Sequence, residues 1–173
     1  MSTKKATAKA NFAKTTREEA LVVGEAFKKA LEPLCTTVTL AGSIRQEKEM
    51  IGDIDIVVIP KDDPNTFLDK VKHVIEYEYG ATKKIFGMFQ GRPINIFVTS
   101  EKSYGASLYQ CTGPMMYNLI MRKTAKLKGM KLNEYGLWNR ETNEFIAGES
   151  EADIFDALGL EYKPPGLRKS KKK

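Results

Sequence analysis

Asp53 and Asp55 stand two apart in the run Gly-Asp-Ile-Asp-Ile-Val-Val-Ile that ends at Ile59. Residues two apart in an extended strand project to the same face. Two carboxylates held side by side repel each other, and on an otherwise apolar strand they are costly unless used. A divalent cation between them resolves both problems. Gly42-Ser43 lies ten residues upstream, at a strand-to-helix turn. Such a turn aims backbone N–H groups and the positive end of a helix outward, which suits a phosphate. Arg45 adds charge there, and Gly52 lets a second stretch of backbone approach the same anion. A phosphate cradle and a metal-binding carboxylate pair in one short segment are the equipment of nucleotide-dependent phosphoryl transfer with two metal ions. An Asp-x-Asp in a surface hairpin is common, and a lone Gly-Ser turn is weak. The two at this offset, between helix, strand and strand, make a specific signal.

These residues need elements to hold them. Thr16-Arg-Glu-Glu19 has the form of a capping box. Ala20, Val23, Ala26, Phe27, Ala30 and Leu31 recur at helical spacing after it, and Pro33 ends the run. Thr36–Leu40 reads as a strand, Ile44–Met50 as a short helix and Asp53–Ile59 as a second strand stopped by Pro60. Asn65–Tyr77 reads as an amphipathic helix. Ile85–Gln90 and Ile94–Thr99 form a hairpin around Gly91-Arg92. The character changes near residues 100–106. Beyond them Met115–Lys128 reads as a helix closing at Gly129. Leu137-Trp138 and Phe145-Ile146 read as two short strands, and Glu151–Leu158 as a last helix stopped by Gly159. Trp138 and Phe145 are expected to pack this second region, and His73 to lie at a surface or boundary.

The chain has 173 residues, 42% of them hydrophobic and 29% charged, which suits one domain or two small lobes sharing a core. The net charge of +6 is unevenly spread. Residues 1–14 hold four Lys and no acid, and residues 163–173 hold Lys163, Arg168, Lys169, Lys171, Lys172 and Lys173, again without an acid. The middle is therefore net acidic. Basic ends can reach for a polyanion, nucleic acid being the common one, or merely aid solubility. Cys35, Cys111 and the single His73 have no zinc-site spacing, and unpaired cysteines suit a reducing interior. No apolar run approaches the ~20 residues of a membrane span.

With these motifs the chain resembles the nucleotidyltransferase superfamily, whose signature is Gly-Ser followed about ten residues later by an Asp-x-Asp strand. It is similar, within that superfamily, to the family X DNA polymerases. AGSIR, GDIDIVV, RPINIFV, the Thr-Gly-Pro of 112–114 with Asn118 and Arg122, LNEYGL and EADIFDALGLEYKPP fall in the family's order over about residues 17–165. The resemblance is to the minimal viral members, so the N-terminal lyase domain and the helix-hairpin-helix clamp of larger members are expected to be missing. The resemblance implies an α+β fold: a palm (16–105) with a mixed or antiparallel sheet and flanking helices, then a C-terminal lobe (106–165) that binds the nascent base pair. A basic arm (1–15) and a basic tail (166–173) flank them.

The family's roles carry over as expectations. Asp53 and Asp55 match the carboxylates that hold two Mg²⁺ ions, with Mn²⁺ as substitute. Gly42, Ser43, Arg45 and Gly52 match contacts to the triphosphate of a dNTP. Gly113 and Asn118 match nucleotide contacts, and Arg122, Lys126 and Tyr135 match residues facing DNA. The third catalytic aspartate of the family falls at Asn95. An amide is neutral, a weaker metal ligand, and cannot take a proton from a primer 3′-hydroxyl. Two readings of Asn95 stay open: a slow or inactive relative, or a site whose aspartate has been exchanged. Gln110 and Cys111 replace two aromatics at the position where the sugar is checked, and Gln46 replaces a second arginine near the triphosphate. The Gly113–Pro114 bond is expected to be cis. The implied activity is template-directed DNA synthesis, as in gap-filling repair, on primer-template or gapped DNA. The chain is expected to act as an intracellular monomer away from membranes, host-encoded or viral. Two rivals remain: a non-catalytic DNA- or nucleotide-binding module, and a template-free nucleotidyltransferase.

Overall fold

The computed structural model describes residues 12–169. The basic arm up to residue 11 and the tail from residue 170 lie outside the described residues. A two-residue strand, β1 (Thr15–Thr16), leads into α1 (Arg17–Leu31). The Thr16 hydroxyl accepts from the Glu19 N–H, and the Glu19 carboxylate accepts from the Thr16 N–H. This is the reciprocal cap that the sequence pattern implies, and it satisfies two of the N–H groups a helix start leaves orphaned. Ala20, Phe27 and Leu31 form the buried stripe of α1.

The chain continues through β2 (Cys35–Leu40), α2 (Gly42–Arg45), β3 (Met50–Ile51), β4 (Ile54–Pro60), α3 (Pro64–Val71), β5 (Glu76–Ala81), β6 (Lys84–Phe89) and β7 (Arg92–Val98). Among the described residues these build a five-stranded sheet in the order β2-β4-β7-β6-β5. It is mixed: β4 and β7 run parallel, and the other neighbours antiparallel. Ile54, Ile56 and Val58 of β4 pack with Ile94 and Ile96 of β7, Ile85 of β6, and Phe27, Leu31, Phe67 and Val71 of the two helices. Val57 points the other way, into a small cluster with Ala41 and Leu108. Burial of β4 on both faces explains why its sequence is a continuous apolar run instead of an alternating one. Each such side chain contributes roughly 1.5–3 kcal/mol by leaving water.

Beyond a short 3₁₀ turn come α4 (Tyr104–Thr112), α5 (Met115–Leu127), β8 (Met130–Asn133), β9 (Gly136–Asn139), β10 (Phe145–Ala147) and α6 (Glu151–Ala157). A second hydrophobic cluster gathers Tyr109, Met121, Leu137, Ile154, Phe155 and Leu158. Trp138 and Phe145 meet edge to face, 5.2 Å between ring centroids. The fold is α+β. No helix among the described residues is long and apolar enough to cross a membrane.

Five local expectations need correction. The helix expected over 44–50 is one turn, Gly42–Arg45, ended where Glu47 takes a positive φ of 59°. The chain then forms β3, which pairs with β1. The helix expected to reach Tyr77 stops at Val71, because Glu76–Ala81 pairs with β6 as an edge strand. Its Glu-Tyr-Glu-Tyr repeat is exposed throughout, so no apolar alternation marks it. Helix α4 escaped the sequence reading because Gly105, Ala106, Ser107, Leu108, Tyr109 and Thr112 are all buried, leaving no polar face. Strand β8 turns the expected hairpin of the second region into a three-stranded sheet, β10-β9-β8. Finally, Arg168 is not a free basic residue of the tail: its side chain is buried against Glu151.

Candidate active site

Asp53 precedes β4, Asp55 lies in it, and Asn95 lies in β7 directly opposite Asp55 in the parallel register. Parallel neighbours sit about 4.8 Å apart, so side chains opposite one another meet. The Asn95 amide Nδ2 donates to Asp55 Oδ1 at 2.7 Å and to Asp53 Oδ2 at 3.0 Å. Three side chains thus converge on one point, and one neutral amide bridges two carboxylates. All three offer hard oxygen donors, which suits a divalent cation such as Mg²⁺. Among the described residues no group of three or more His, Cys, Asp and Glu is placed to hold a metal, so the donor set is two carboxylates and an amide.

Gly42 explains how the turn and the carboxylate come together. A Cβ there would lie 1.9 Å from Asp55 Oδ2, and its φ of +54° disfavours any other residue. The Asp55 carboxylate therefore rests against the first residue of α2. The first N–H groups of a helix have no intrahelical partner, and Gly42 and Ser43 at the start of α2 border the site. A cavity of about 310 Å³ opens beside them. It is lined by Gly42, Ser43, Gln46, Lys48 and Asp55 on one side, and by Gln110, Cys111, Thr112, Gly113, Pro114, Asn118 and Arg122 on the other. The Gly113–Pro114 bond is cis, as the sequence led us to expect.

Two lining groups hold buried polar atoms without a hydrogen-bond partner among the described residues. Asn118 donates Nδ2 to the Gln110 carbonyl at 2.9 Å, yet its buried Oδ1 has no partner. Arg122 donates Nη2 to Gln110 Oε1 at 2.9 Å, while its Nε is buried and unpaired. Buried polar atoms left unpaired are rare and costly, and here both border a cavity. Gln110, one of the departures from the family pattern, thus aims both residues. Burial pushes the Cys111 thiol up to about 12, and the Asp55 carboxylate pushes the same way, so it is a neutral wall.

Other expected site residues lie elsewhere. Arg45 does not line the cavity. Its guanidinium donates to both Glu151 oxygens, at 2.9 and 2.7 Å, and to Thr112 Oγ1 at 2.9 Å. Gly52 also lies outside the lining, where a Cβ would meet nothing within 4 Å, so the space beside it is open. Its carbonyl accepts from Arg92 Nη2 at 3.3 Å. Lys126 is exposed one turn beyond Arg122. The Tyr135 hydroxyl accepts from Lys83 Nζ at 3.0 Å, and the Lys83 ammonium sits 4.6 Å from its ring centroid. Lys48 was not singled out in the sequence. It is an exposed lysine at the Gly42–Ser43 end of the cavity, and makes no ion pair among the described residues. Its only sequence signal is a basic residue shortly after the Gly-Ser.

Comparison with known proteins finds matches to both the sequence and the fold. The family model described as DNA polymerase beta thumb matches residues 107–169. Repair DNA polymerase X of African swine fever virus is 27% identical over 152 residues, covering 78% of this chain and 83% of the viral protein. The chain is similar to family X DNA polymerases in both sequence and fold. The DNA polymerase/3′-5′ exonuclease PolX of Bacillus subtilis is 29% identical over 136 residues. That match covers 75% of this chain but 24% of the Bacillus protein, so only a part of that larger family X member is represented. The fold matches Leishmania infantum polymerase beta in a ternary P/T complex, with a TM-score of 0.76 at 22% identity, over 91% of this chain and 77% of that one. Family X polymerases use divalent metals, in keeping with the oxygen donors of Asp53 and Asp55.

Proposed function

We propose that this chain is a DNA-directed DNA polymerase that adds a dNMP to a primer 3′-hydroxyl on gapped or primer-template DNA. The observation that carries the reading is the meeting of Asp53, Asp55 and Asn95 at the edge of a cavity. Its opposite wall, Asn118 and Arg122, holds unpaired polar atoms. The residues 16–105 act as the palm and 106–165 as the lobe that closes on the new base pair. In this reading the backbone of Gly42 and Ser43, with Lys48, receives the triphosphate. Asn118 and Arg122 offer an acceptor and a donor to the base pair and template. Gly113, which has no side chain, keeps bulk out of the cavity between them. Asp53 and Asp55 would hold Mg²⁺, two ions in the full reaction with Mn²⁺ as substitute, whose charge offsets that on the attacking and leaving oxygens.

Asn95 sets the limit on rate. Its amide orients both carboxylates but cannot accept the proton of the 3′-hydroxyl, which leaves that proton to solvent or to the substrate itself. The same two hydrogen bonds favour one second reading, a protein that binds DNA and nucleotide without turnover. The test is extension of a labelled primer by one nucleotide across a gap. Extension that follows the template base supports the polymerase reading. Binding without extension under Mg²⁺ and Mn²⁺ favours the second reading, and addition that ignores the template would point to a template-free transferase. Lys48→Ala is expected to raise the KM for dNTP about tenfold and to leave DNA affinity unchanged.

A further inference from the structure

The two carboxylates are held by different means. Asp55 lies within β4, where pairing with β7 and the Ala41 N–H on its carbonyl, at 2.8 Å, fix its backbone. Asp53 stands outside the sheet, in the two-residue link Gly52-Asp53 between β3 and β4. Glycine is free in φ and ψ, so this link could turn. Arg92, the first residue of β7, closes that freedom. Its Nη2 donates to the Ile51 carbonyl at 3.1 Å and to the Gly52 carbonyl at 3.3 Å. The Gly52 carbonyl and the Asp53 N–H belong to one planar peptide, so a grip on the first orients the second. Three residues further along β7, Asn95 donates to the Asp53 carboxylate at 3.0 Å. Strand β7 therefore holds Asp53 at two points, the peptide before it and the side chain itself. The other end of the Arg92 fork, Nη1, donates to the Ala13 carbonyl at 3.0 Å. Arg92 is half-buried, makes no ion pair among the described residues, and leaves its Nε buried without a partner. A cation shielded from water with only carbonyls for company is not an arrangement that stability favours, since an apolar side chain of similar size avoids the desolvation cost.

We infer that Arg92 is a positioning residue for Asp53: by clamping the 51–52 carbonyls it sets where Asp53 presents its oxygens to a divalent cation. The inference rests on the polymerase reading, which makes Asp53 a metal ligand, and deepens it by naming what aims that ligand. Two effects of opposite sign compete at Arg92. A guanidinium and a metal ion carry like charge, so by charge alone its removal would tighten metal binding. Loss of the clamp frees the Gly52-Asp53 link and weakens binding. Ligand distances must hold to within about 0.2 Å, whereas the repulsion at a solvent-facing site is screened by salt. The clamp is therefore the larger effect, and the sign of the change separates the two accounts.

The test is a double-mutant cycle read by Mn²⁺ binding, with free Mn²⁺ measured by electron paramagnetic resonance. Arg92→Met keeps the apolar stem and removes every donor. It is expected to weaken Mn²⁺ binding about 10- to 100-fold. Asp53→Asn is expected to lose at least as much, and the double variant to bind within about twofold of Asp53→Asn alone, because residues that act through one another are not additive. A role in stability alone gives additive losses. Mn²⁺ affinity in Arg92→Met equal to or above that of wild type, or additive losses in the double variant, would overturn the inference, as would a wild type that binds no Mn²⁺. Arg92→Lys keeps the charge but not the fork, and is expected to bind Mn²⁺ more weakly than wild type. If Arg92→Met does not fold, wild-type affinity in Arg92→Lys overturns the inference instead. Failure of the polymerase reading looks different. If Arg92→Met loses Mn²⁺ as described but Asn95→Asp never extends a primer, the polymerase reading falls and the clamp stands. If Asn95→Asp extends primers, and adding Arg92→Met changes neither kcat nor Mn²⁺ affinity, the clamp alone falls.

Discussion

At the scale of single residues, the site depends on how closely Asp55 rests on Gly42. A methyl group at residue 42 would overlap Asp55 Oδ2, and the φ of +54° adds backbone strain. A displacement of a catalytic group by about 1 Å costs about 10²-fold in rate. Gly42→Ala is therefore expected to lower single-nucleotide extension at least 100-fold in an Asn95→Asp background, with the fold retained by circular dichroism. A loss smaller than threefold would remove Asp55 from the reaction. Asp53 and Asp55 were legible in the sequence because two carboxylates in an apolar strand have few structural excuses. Asn95 was legible only through the family pattern, since an asparagine among Ile94 and Ile96 carries no signal of its own. Arg45 was misplaced for a physical reason. Its spacing after Gly-Ser is the same whether the guanidinium turns to a phosphate or to Glu151, and Glu151 is 106 positions away in sequence.

At the scale of elements, α4 and α6 decide how the two hydrophobic clusters are joined. Arg45 of α2 reaches Glu151 at the start of α6, and Arg168, its side chain buried, donates to the same carboxylate at 2.9 Å. Burial alone would raise the Glu151 carboxyl, but the hydrogen bonds from Arg45 and Arg168 outweigh it and hold it below the usual carboxylate range. A depressed folded-state value means the stabilisation is fully present above the ordinary value of about 4.5 and is lost as pH falls through the depressed one. Glu151→Gln is expected to lower stability by roughly 3–5 kcal/mol at pH 7, because it leaves two guanidiniums without their counter-charge. The gap to wild type should narrow as pH falls below about 4.5. Urea midpoints measured from pH 7 to pH 3 test this, and a constant gap across that range would contradict it. Helix α1 and strand β4 were readable from capping and apolar pattern. Helix α4 was not, because an element buried on every side has no amphipathic period to detect.

At the scale of the whole molecule, the cavity lies between the sheet and the second cluster, so any nucleotide in it touches both. The second region matches the DNA polymerase beta thumb, and the chain spans most of the viral relative but a small part of the Bacillus one. Charge belongs to this scale too. The ends beyond the described residues hold Lys4, Lys5, Lys9, Lys171, Lys172 and Lys173. If all six neutralise phosphates, trimming residues 1–11 and 170–173 reduces the slope of log affinity for gapped DNA against log salt by up to about 5. An unchanged slope would leave these lysines a role in solubility alone. The most direct measurement of the central claim is single-nucleotide extension on gapped DNA, with Mg²⁺ and with Mn²⁺, comparing the chain as it stands with Asn95→Asp. A carboxylate at residue 95 supplies a proton acceptor beside Asp53 and Asp55, and general-base effects of this kind are worth about 10²–10⁴-fold. The account predicts a rise of that size. Equal rates for the two chains would contradict it.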